Sequence, residues 1–259
     1  MRIGARDIAF TSLLSSARAF AKCLPRLSLV KDPLAVLRAY LRCESPPYVE
    51  LSSGHRISLS SHPHDIITFF VVFLRRDYGD INEGDVVADI GANIGMFALY
   101  AALHGAARVY AFEPSQEAFR VLCKNVESNG LAKVIIPINK AVSDTNGHLV
   151  KFPSASSPYN RLGLAVSSDA GACCEVRTIT LDAFIAEHGI AAIDLLKMDC
   201  EGAEFSIVPS LTEFAISRIN KIRLECHGSP RQLVGSFCRN AYMVERMHGD
   251  NLWLTRRSS

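Results

Sequence analysis

The sequence lacks the features that mark membrane-spanning, disulfide-stapled and zinc-binding proteins. No apolar stretch approaches the length of a membrane span, and the longest near the middle, residues 66–74, is followed at once by charged residues. The eight cysteines include no C-x-x-C pair, and their other spacings match no zinc module. We therefore expect reduced thiols, packed mostly as small hydrophobes, in a cytoplasmic compartment.

Charge of one sign is also scarce. The formal net charge is +2, which leaves no strong electrostatic footprint for nucleic acid. Hydrophobic residues make up 49% and charged residues 21%, a balance that excludes a disordered chain. At 259 residues without an internal repeat, the chain is long enough for one large α/β domain with a full core.

Residues 1–31 are the one strongly basic stretch, with Asp7 as the only acid. This composition favours an amphipathic helix on the outside of the domain, although a mitochondrial transit peptide or a helix lying on an anionic membrane surface has a similar one. A secretory signal is disfavoured because polar residues interrupt each apolar region. We expect residues 1–80 to form a helical segment, a β-hairpin and a helix that pack on a core domain of residues 81–259.

The core domain reads as short apolar strands that alternate with helices of about ten residues, as in crossover units of a parallel sheet. Pro137 indicates that its strand lies at an edge. The segments 242–247 and 252–255 predict a closing hairpin, so the last strand should run antiparallel to the others. The main predicted strands are residues 86–90, 108–112, 134–138, 193–198 and 219–225.

A glycine-containing turn, G-A-N-I-G at 91–95, lies between the first strand and the first helix of this pattern, where doubly wound folds bind their cofactor. A nicotinamide-dependent oxidoreductase, the first rival reading, would normally show G-x-G-x-x-G. Asp89 suits the ammonium and sulfonium of S-adenosylmethionine better than a pyrophosphate, since an opposite-charge pair at 4 Å near a surface contributes about 4 kcal/mol before desolvation. Glu113, at the end of the second strand, can accept hydrogen bonds from both ribose hydroxyls.

The chain resembles the FkbM-type methyltransferases. The resemblance rests on V-A-D-I-G-A-N-I-G at 87–95, Y-A-F-E-P at 110–114, N-x-A-V-S-D at 139–144, T-L-D at 180–182 and D-L-L-K-M-D-C-E-G-A-E at 194–204. It implies a Rossmann-like class I methyltransferase fold, S-adenosylmethionine as cofactor, and an oxygen acceptor such as a sugar or natural product. The predicted cofactor-binding residues are Asp89, Gly91, Ala92, Asn93, Gly95, Glu113, Pro114, Ala141 and Asp199.

The acceptor chemistry should lie at the carboxyl ends of the middle strands, beside the cofactor. Asp199 and Glu201 follow the fourth strand, and Glu225 and His227 end the fifth. His227 is the predicted general base because the ordinary pKa of histidine, about 6.5, suits neutral pH better than the 3.9 to 4.3 of carboxyls. Asp199 is expected to position donor or acceptor.

Several alternatives remain open at this site. The same four groups could hold a divalent cation, but no fixed ligand spacing supports a metal, and none is predicted. Lys197, in an otherwise apolar strand, could pair with one of the acids, and the loop at 159–161 could lean over the acceptor. The second rival reading is a non-catalytic cofactor-binding protein, in which Asp199 and His227 would be dispensable.

Overall fold

The computed structural model describes residues 23–60, 62–153, 173–237 and 241–257. The chain divides into two compact units, the first ending at Gly79 and the second beginning at Asp80. Within the described ranges, no helix has both the length and the apolar composition needed to cross a membrane. The packing of residues 1–80 on the core domain stays a prediction, and the basic residues before Cys23 lie outside the described part.

The first unit combines short helices with a β-hairpin. Asp32 caps helix α1 by accepting a hydrogen bond from the backbone of Ala35, and Gly54, with φ of 89°, makes the hairpin turn. Its elements are a 3-10 helix at Leu24–Leu29, α1 at Pro33–Arg42, β1 at Tyr48–Glu50, β2 at Arg56–Ser58, α2 at His64–Phe69 and a π-helical segment at Phe70–Arg75.

The helical spacing of apolar residues predicts one helix over residues 63–77, and the structure differs from this prediction. The α-helical hydrogen bonding of α2 gives way to the wider π-helical pattern at Phe70. Phe69, Phe70 and Phe73 are all buried, and Phe69 stacks on Phe73 with ring centroids 5.0 Å apart. Their burial agrees with the prediction, made from their helical spacing, that they are core residues.

The second unit is built on a sheet of seven strands in the order β11-β12-β10-β9-β3-β4-β5. Strands β3, β4, β5, β9 and β10 pair in parallel, whereas β12 pairs antiparallel with both β10 and β11. These seven strands are β3 Val86–Ile90, β4 Arg108–Phe112, β5 Ile135–Ile138, β9 Ile193–Met198, β10 Ile219–Glu225, β11 Tyr242–His248 and β12 Asn251–Arg256.

This arrangement confirms the predicted α/β class and its mostly parallel sheet. The strand that contains Pro137 lies at one edge, and the closing hairpin supplies the antiparallel strand. The helices are α3 Met96–Leu103, α4 Gln116–Ser128, α5 Leu181–Glu187, α6 Glu204–Ser210, α7 Glu213–Ile216 and α8 Pro230–Phe237.

A second, three-stranded sheet was not predicted. Its order is β6-β8-β7, with β6 at Ala141–Val142, β7 at Leu149–Pro153 and β8 at Cys173–Ile179. Ala141, a predicted cofactor residue, is buried here and pairs with Thr178. The sheet escaped prediction because its pairings join residues 20 to 37 positions apart in the chain, and local patterns do not encode such partners.

Helix α4 follows the predicted amphipathic pattern, with Ala118, Leu122 and Val126 buried on one face. Ser115 begins the helix by accepting a hydrogen bond from the Ala118 amide. Asn125 is also buried on this helix, and its side chain donates to the Ile94 carbonyl at 3.0 Å. The helix therefore holds the turn that follows β3.

The turns that follow β3 and β9 contact each other through their backbones. The Asp199 amide donates to the Ile90 carbonyl at 3.1 Å. Gly91 has φ of 75°, and a Cβ atom at this residue would lie 1.9 Å from the Asp199 carbonyl oxygen. Only glycine fits this close approach.

We expect Gly91→Ala to lower the free energy of unfolding by about 2–5 kcal/mol, because left-handed strain and an atomic overlap with backbone add together. The matched control is Gly84→Ala, since Gly84 has φ of 86° but open space around its Cβ position. Strain alone should cost this control about 1–2 kcal/mol. Urea unfolding measures both variants, and equal losses would contradict the close approach.

Candidate active site

The strand order of the large sheet reverses between β3 and β9. From β3 the chain adds β4 and β5 on one side, and later β9 and β10 on the other. In open α/β sheets, ligands bind in the crevice at the carboxyl ends of the strands beside such a reversal. The two turns described above lie at these ends, so this crevice is the candidate site.

The turn after β3 is fixed by backbone hydrogen bonds to the end of β4. The amides of Gly91 and Ala92 both donate to the Phe112 carbonyl, at 3.1 and 2.9 Å. Asn93, with φ of 50°, and Gly95, with φ of 88°, adopt the left-handed region. A non-glycine residue in that region is uncommon and is concentrated at ligand sites. Binding of a cofactor at this five-residue turn stays a prediction.

Glu113 joins the turn after β3 to the turn after β4. One carboxylate oxygen accepts from the Asn93 amide and the other from the Ser115 amide, both at 2.7 Å. The side chain is buried, and this burial raises the pKa of Glu113 to about 7. Each oxygen keeps a further lone pair for a ligand hydroxyl, so the predicted ribose contact remains geometrically open.

Pro114 and Ala141 lie on the same side of the site as Glu113. Asn139 donates its side-chain amide to the Glu113 carbonyl at 2.8 Å and to the Pro114 carbonyl at 3.3 Å. These bonds fix the segment that leads to Ala141. Contacts of Pro114 and Ala141 with a cofactor stay predictions.

Asp89 lies deeper than the sequence indicated. It is fully buried in β3, and its carboxylate forms an ion pair with Lys197 Nζ at 3.0 Å. The two residues are register neighbours in the sheet. The cation next to Asp89 in the structure thus belongs to the chain itself, and direct contact of Asp89 with a ligand ammonium stays a prediction. The expected pairing of Lys197 with one of the acceptor-side acids is confirmed by Asp199, whose carboxylate lies 4.0 Å from Lys197 Nζ.

The predicted acceptor-side residues form a cluster at the ends of β9 and β10. His227 Nε2 lies 3.3 Å from a Glu201 oxygen and 3.9 Å from an Asp199 oxygen. Glu201 and Gly202 both have positive φ, 54° and 102°, which turns the Glu201 side chain back to His227. Among the described residues, Glu225 is not a member of this cluster, contrary to the predicted convergence of four groups.

The Glu204 side chain joins the members of the cluster through hydrogen bonds, a role that was not predicted from the sequence. Its fully buried carboxylate accepts from the His227 amide at 2.6 Å, from the Gly202 amide at 2.8 Å and from the Cys200 thiol at 3.4 Å. It also accepts from His227 Nδ1 at 3.2 Å. Burial alone would raise the pKa of Glu204, but the bonds from His227 outweigh burial and lower it.

His227 is predicted as the general base because of the ordinary pKa of histidine, and the structure contradicts this reason. Hydrogen bonds to Glu201 and Glu204, together with the charge of Asp199, raise the pKa of His227 to about 10. The ring is therefore an imidazolium at neutral pH, with no lone pair to accept a proton. It donates from both nitrogens and holds the carboxylates around it.

The cluster also has the spacing of a metal site. Asp199, Glu201 and His227 each offer a ligand atom, and these atoms lie within 4.8 Å of one another. A cation there would have to replace the imidazolium proton between the same atoms. The prediction of a metal-free reaction stays a prediction. The loop at 159–161 lies outside the described residues.

The strand order, the antiparallel strand near the C-terminus and the cofactor turn at the reversal define a class I methyltransferase fold of Rossmann-like architecture. The Methyltransferase FkbM domain matches residues 89–250, more than half of the chain. The chain belongs to the FkbM methyltransferase family.

Three relatives illustrate the match. The 31-O-demethyl-FK506 methyltransferase FkbM of Streptomyces tacrolimicus is 35% identical over 48% of this chain and 58% of its own length. Methyltransferase sdnD of Sordaria araneosa is 26% identical over 51% of this chain and 62% of its own. The crystal structure of methyltransferase FkbM from Methylobacillus flagellatus covers 95% of this chain and 60% of that one, with 16% identity and a TM-score of 0.49. The chain thus spans less than two thirds of each relative.

We expect Glu204→Gln to lower the pKa of His227 by about 1–3 units, because it removes an opposite charge in direct contact with the ring. NMR titration of the His227 ring measures this pKa. The control is Glu225→Gln, which removes an acid at the end of β10 that lies outside the cluster. It should leave the pKa of His227 nearly unchanged. An unaltered pKa in Glu204→Gln would contradict the assignment.

Proposed function

We propose that this protein is an S-adenosylmethionine-dependent methyltransferase that methylates a hydroxyl group of a small-molecule acceptor, a sugar or a natural product. The observation that carries the proposal is the juxtaposition, across the sheet reversal, of the Glu113 turn with the Asp199–Glu201–His227 cluster. The name of the Streptomyces relative, a 31-O-demethyl-FK506 methyltransferase, supports an oxygen acceptor on a natural product.

The donor would be held along the turn after β3. In this proposal Glu113 accepts hydrogen bonds from the ribose hydroxyls, while Gly91, Ala92, Asn93 and Gly95 present backbone groups to the rest of the molecule. The lack of a Cβ at Gly91, where such an atom would overlap Asp199, fits a turn that a ligand approaches closely. S-adenosylmethionine, when bound, supplies an electrophilic methyl group.

The acceptor would enter on the side of the cluster. Because the imidazolium of His227 cannot take a proton, we assign proton acceptance to the carboxylate of Asp199 or Glu201. His227 donates to these groups and sets their orientation. Holding donor and acceptor in line can lower the barrier by about 7–11 kcal/mol in favourable cases, so this weak base suffices when positioning does most of the catalysis.

The proposal also includes the class of acceptor and the location of the protein in the cell. The acceptor is a small molecule or glycan rather than nucleic acid, consistent with the small net charge. The seven described cysteines are all free thiols, as expected for the proposed cytoplasmic location. A second candidate partner, an anionic membrane surface, would contact the basic stretch at residues 1–31.

Calorimetry with S-adenosylmethionine, S-adenosylhomocysteine and NAD tests donor identity. We expect both sulfur compounds to bind and NAD to bind far more weakly. Glu113→Ala should weaken donor binding by about 1.5–3 kcal/mol, the range for hydrogen bonds to a charged group. A screen of hydroxyl acceptors with radiolabelled donor, run with and without a chelator, then separates an enzyme from a non-catalytic binding protein and tests for a metal.

The raised pKa of Glu113 adds a pH signature to this binding. Ribose hydroxyls that donate to Glu113 favour its ionised form, so donor affinity should rise by up to about tenfold from pH 6 to pH 8, with proton release below pH 7. Glu113→Gln should bind weakly at every pH. Tight NAD binding without a response to either sulfur compound would overturn the proposal, as would wild-type affinity in both Glu113 variants.

The pH profile of turnover at saturating donor identifies the group that accepts the proton. If a carboxylate accepts it, turnover is level across neutral pH and falls as His227 loses its proton near pH 10. If neutral His227 accepts it, turnover rises with pH about tenfold per unit up to that point. The rising profile, together with its loss in His227→Ala, would contradict the carboxylate assignment.

A further inference from the structure

Lys197 is a buried cation in the centre of the sheet. It lies in β9, between Asp89 on β3 and Arg223 on β10, and its side chain is 5% exposed. A buried ammonium is strongly unfavourable unless charges and acceptors surround it. The groups around the Lys197 ammonium therefore indicate the role of its charge.

Three acceptors surround the Lys197 ammonium, and they belong to different parts of the candidate site. It donates to the Gly91 carbonyl of the donor turn at 2.9 Å. It pairs with Asp89 at 3.0 Å and with Asp199 at 4.0 Å. Asp199 lies directly after β9, two residues beyond Lys197, so both groups reach the same end of the sheet.

The neighbouring cation, Arg223, belongs to a separate set of contacts. Its guanidinium donates to the Leu254 carbonyl at 3.1 Å and to Glu245 at 3.1 Å, and it lies over the Trp253 ring. These partners lie on β11 and β12. Gly91, Asp89 and Asp199, by contrast, lie at or next to the carboxyl ends of β3 and β9.

We propose that Lys197 is a positioning residue for methyl transfer, whose ammonium fixes the Gly91 carbonyl of the donor turn relative to the Asp199 carboxylate on the acceptor side. This inference rests on the proposed function, because it concerns the alignment of the two substrates. It goes beyond neutralising Asp89, since a counterion for Asp89 alone needs neither of the other two contacts.

Lys197 stays protonated in this environment. Burial alone would lower the pKa of Lys197, but Asp89 and Asp199 outweigh burial and raise it. A permanent ammonium can hold the two turns at every pH at which the enzyme would work. A neutral amine would lose the attraction to Asp199.

The test separates positioning from charge balance by working in an Asp89→Asn background, in which Lys197 has no buried carboxylate to neutralise. Lys197→Met is added to this background, and S-adenosylmethionine and S-adenosylhomocysteine affinities are measured by calorimetry alongside the unfolding temperature. Positioning predicts that the added change keeps or raises the unfolding temperature yet weakens donor binding by about tenfold, as for one charge-assisted hydrogen bond. Unchanged or tighter binding would show that Lys197 is only a counterion.

Repeating the comparison with Asp199→Asn tests the second contact. Because Lys197 acts partly through Asp199, the effect of Lys197→Met on donor affinity should shrink when Asp199 is already uncharged. Effects that simply add would contradict coupling between the two residues. In the otherwise wild-type chain, Lys197→Arg keeps the positive charge but replaces the compact ammonium with a larger planar group. This variant should remain folded and should bind S-adenosylmethionine several-fold more weakly.

The Lys197→Arg variant also decides the matter if the Asp89→Asn proteins do not fold, since wild-type affinity in this variant would overturn the inference. Failure of the proposed function has a different signature. It would appear before any substitution, as a wild-type protein that binds neither S-adenosylmethionine nor S-adenosylhomocysteine.

Discussion

The side-by-side pairing of β3 and β9 is the constraint from which the candidate site follows. The strands that follow β3 are added on one side of it, and β9 is added later on the other side. Because β3 and β9 are parallel neighbours, the turns after them meet at the same end of the sheet. The meeting is tight: an amide of one turn bonds a carbonyl of the other, and Gly91 leaves no room for a side chain against Asp199. Any ligand held by the first turn therefore lies beside the acids of the second.

Much of this arrangement could be predicted from the sequence. The strands at residues 86–90, 108–112, 193–198 and 219–225 are short, apolar and buried, and the structure places them within those bounds. The positions of Glu113 and Asp199 follow, because each comes directly after such a strand, whereas the full burial of Asp89 inside β3 was not predicted. The small sheet could not be predicted in the same way, since the partners of β8 are set by distant segments rather than by its own pattern.

The chemistry of the side chains was harder to predict than their positions. His227 was placed correctly at the end of the fifth strand, but its ordinary pKa was a poor guide, because Glu201 and Glu204 both contact the ring. Glu201 reaches it only through a left-handed backbone, which no local pattern reveals. Glu204 only follows the fourth strand in the sequence, yet its buried carboxylate accepts hydrogen bonds from residues after two strands. Such roles depend on long-range contacts and desolvation, and a single sequence encodes them only through the whole fold.

The central claim is that the donor lies across the reversal between β3 and β9, with its ribose on Glu113 and its sulfur toward the cluster. A crystal structure of the complex with S-adenosylhomocysteine tests it most directly. The account predicts ribose hydroxyls within hydrogen-bond distance of the Glu113 oxygens and a sulfur atom that faces Asp199, Glu201 and His227. A ligand bound elsewhere, or one whose ribose does not contact Glu113, would contradict it.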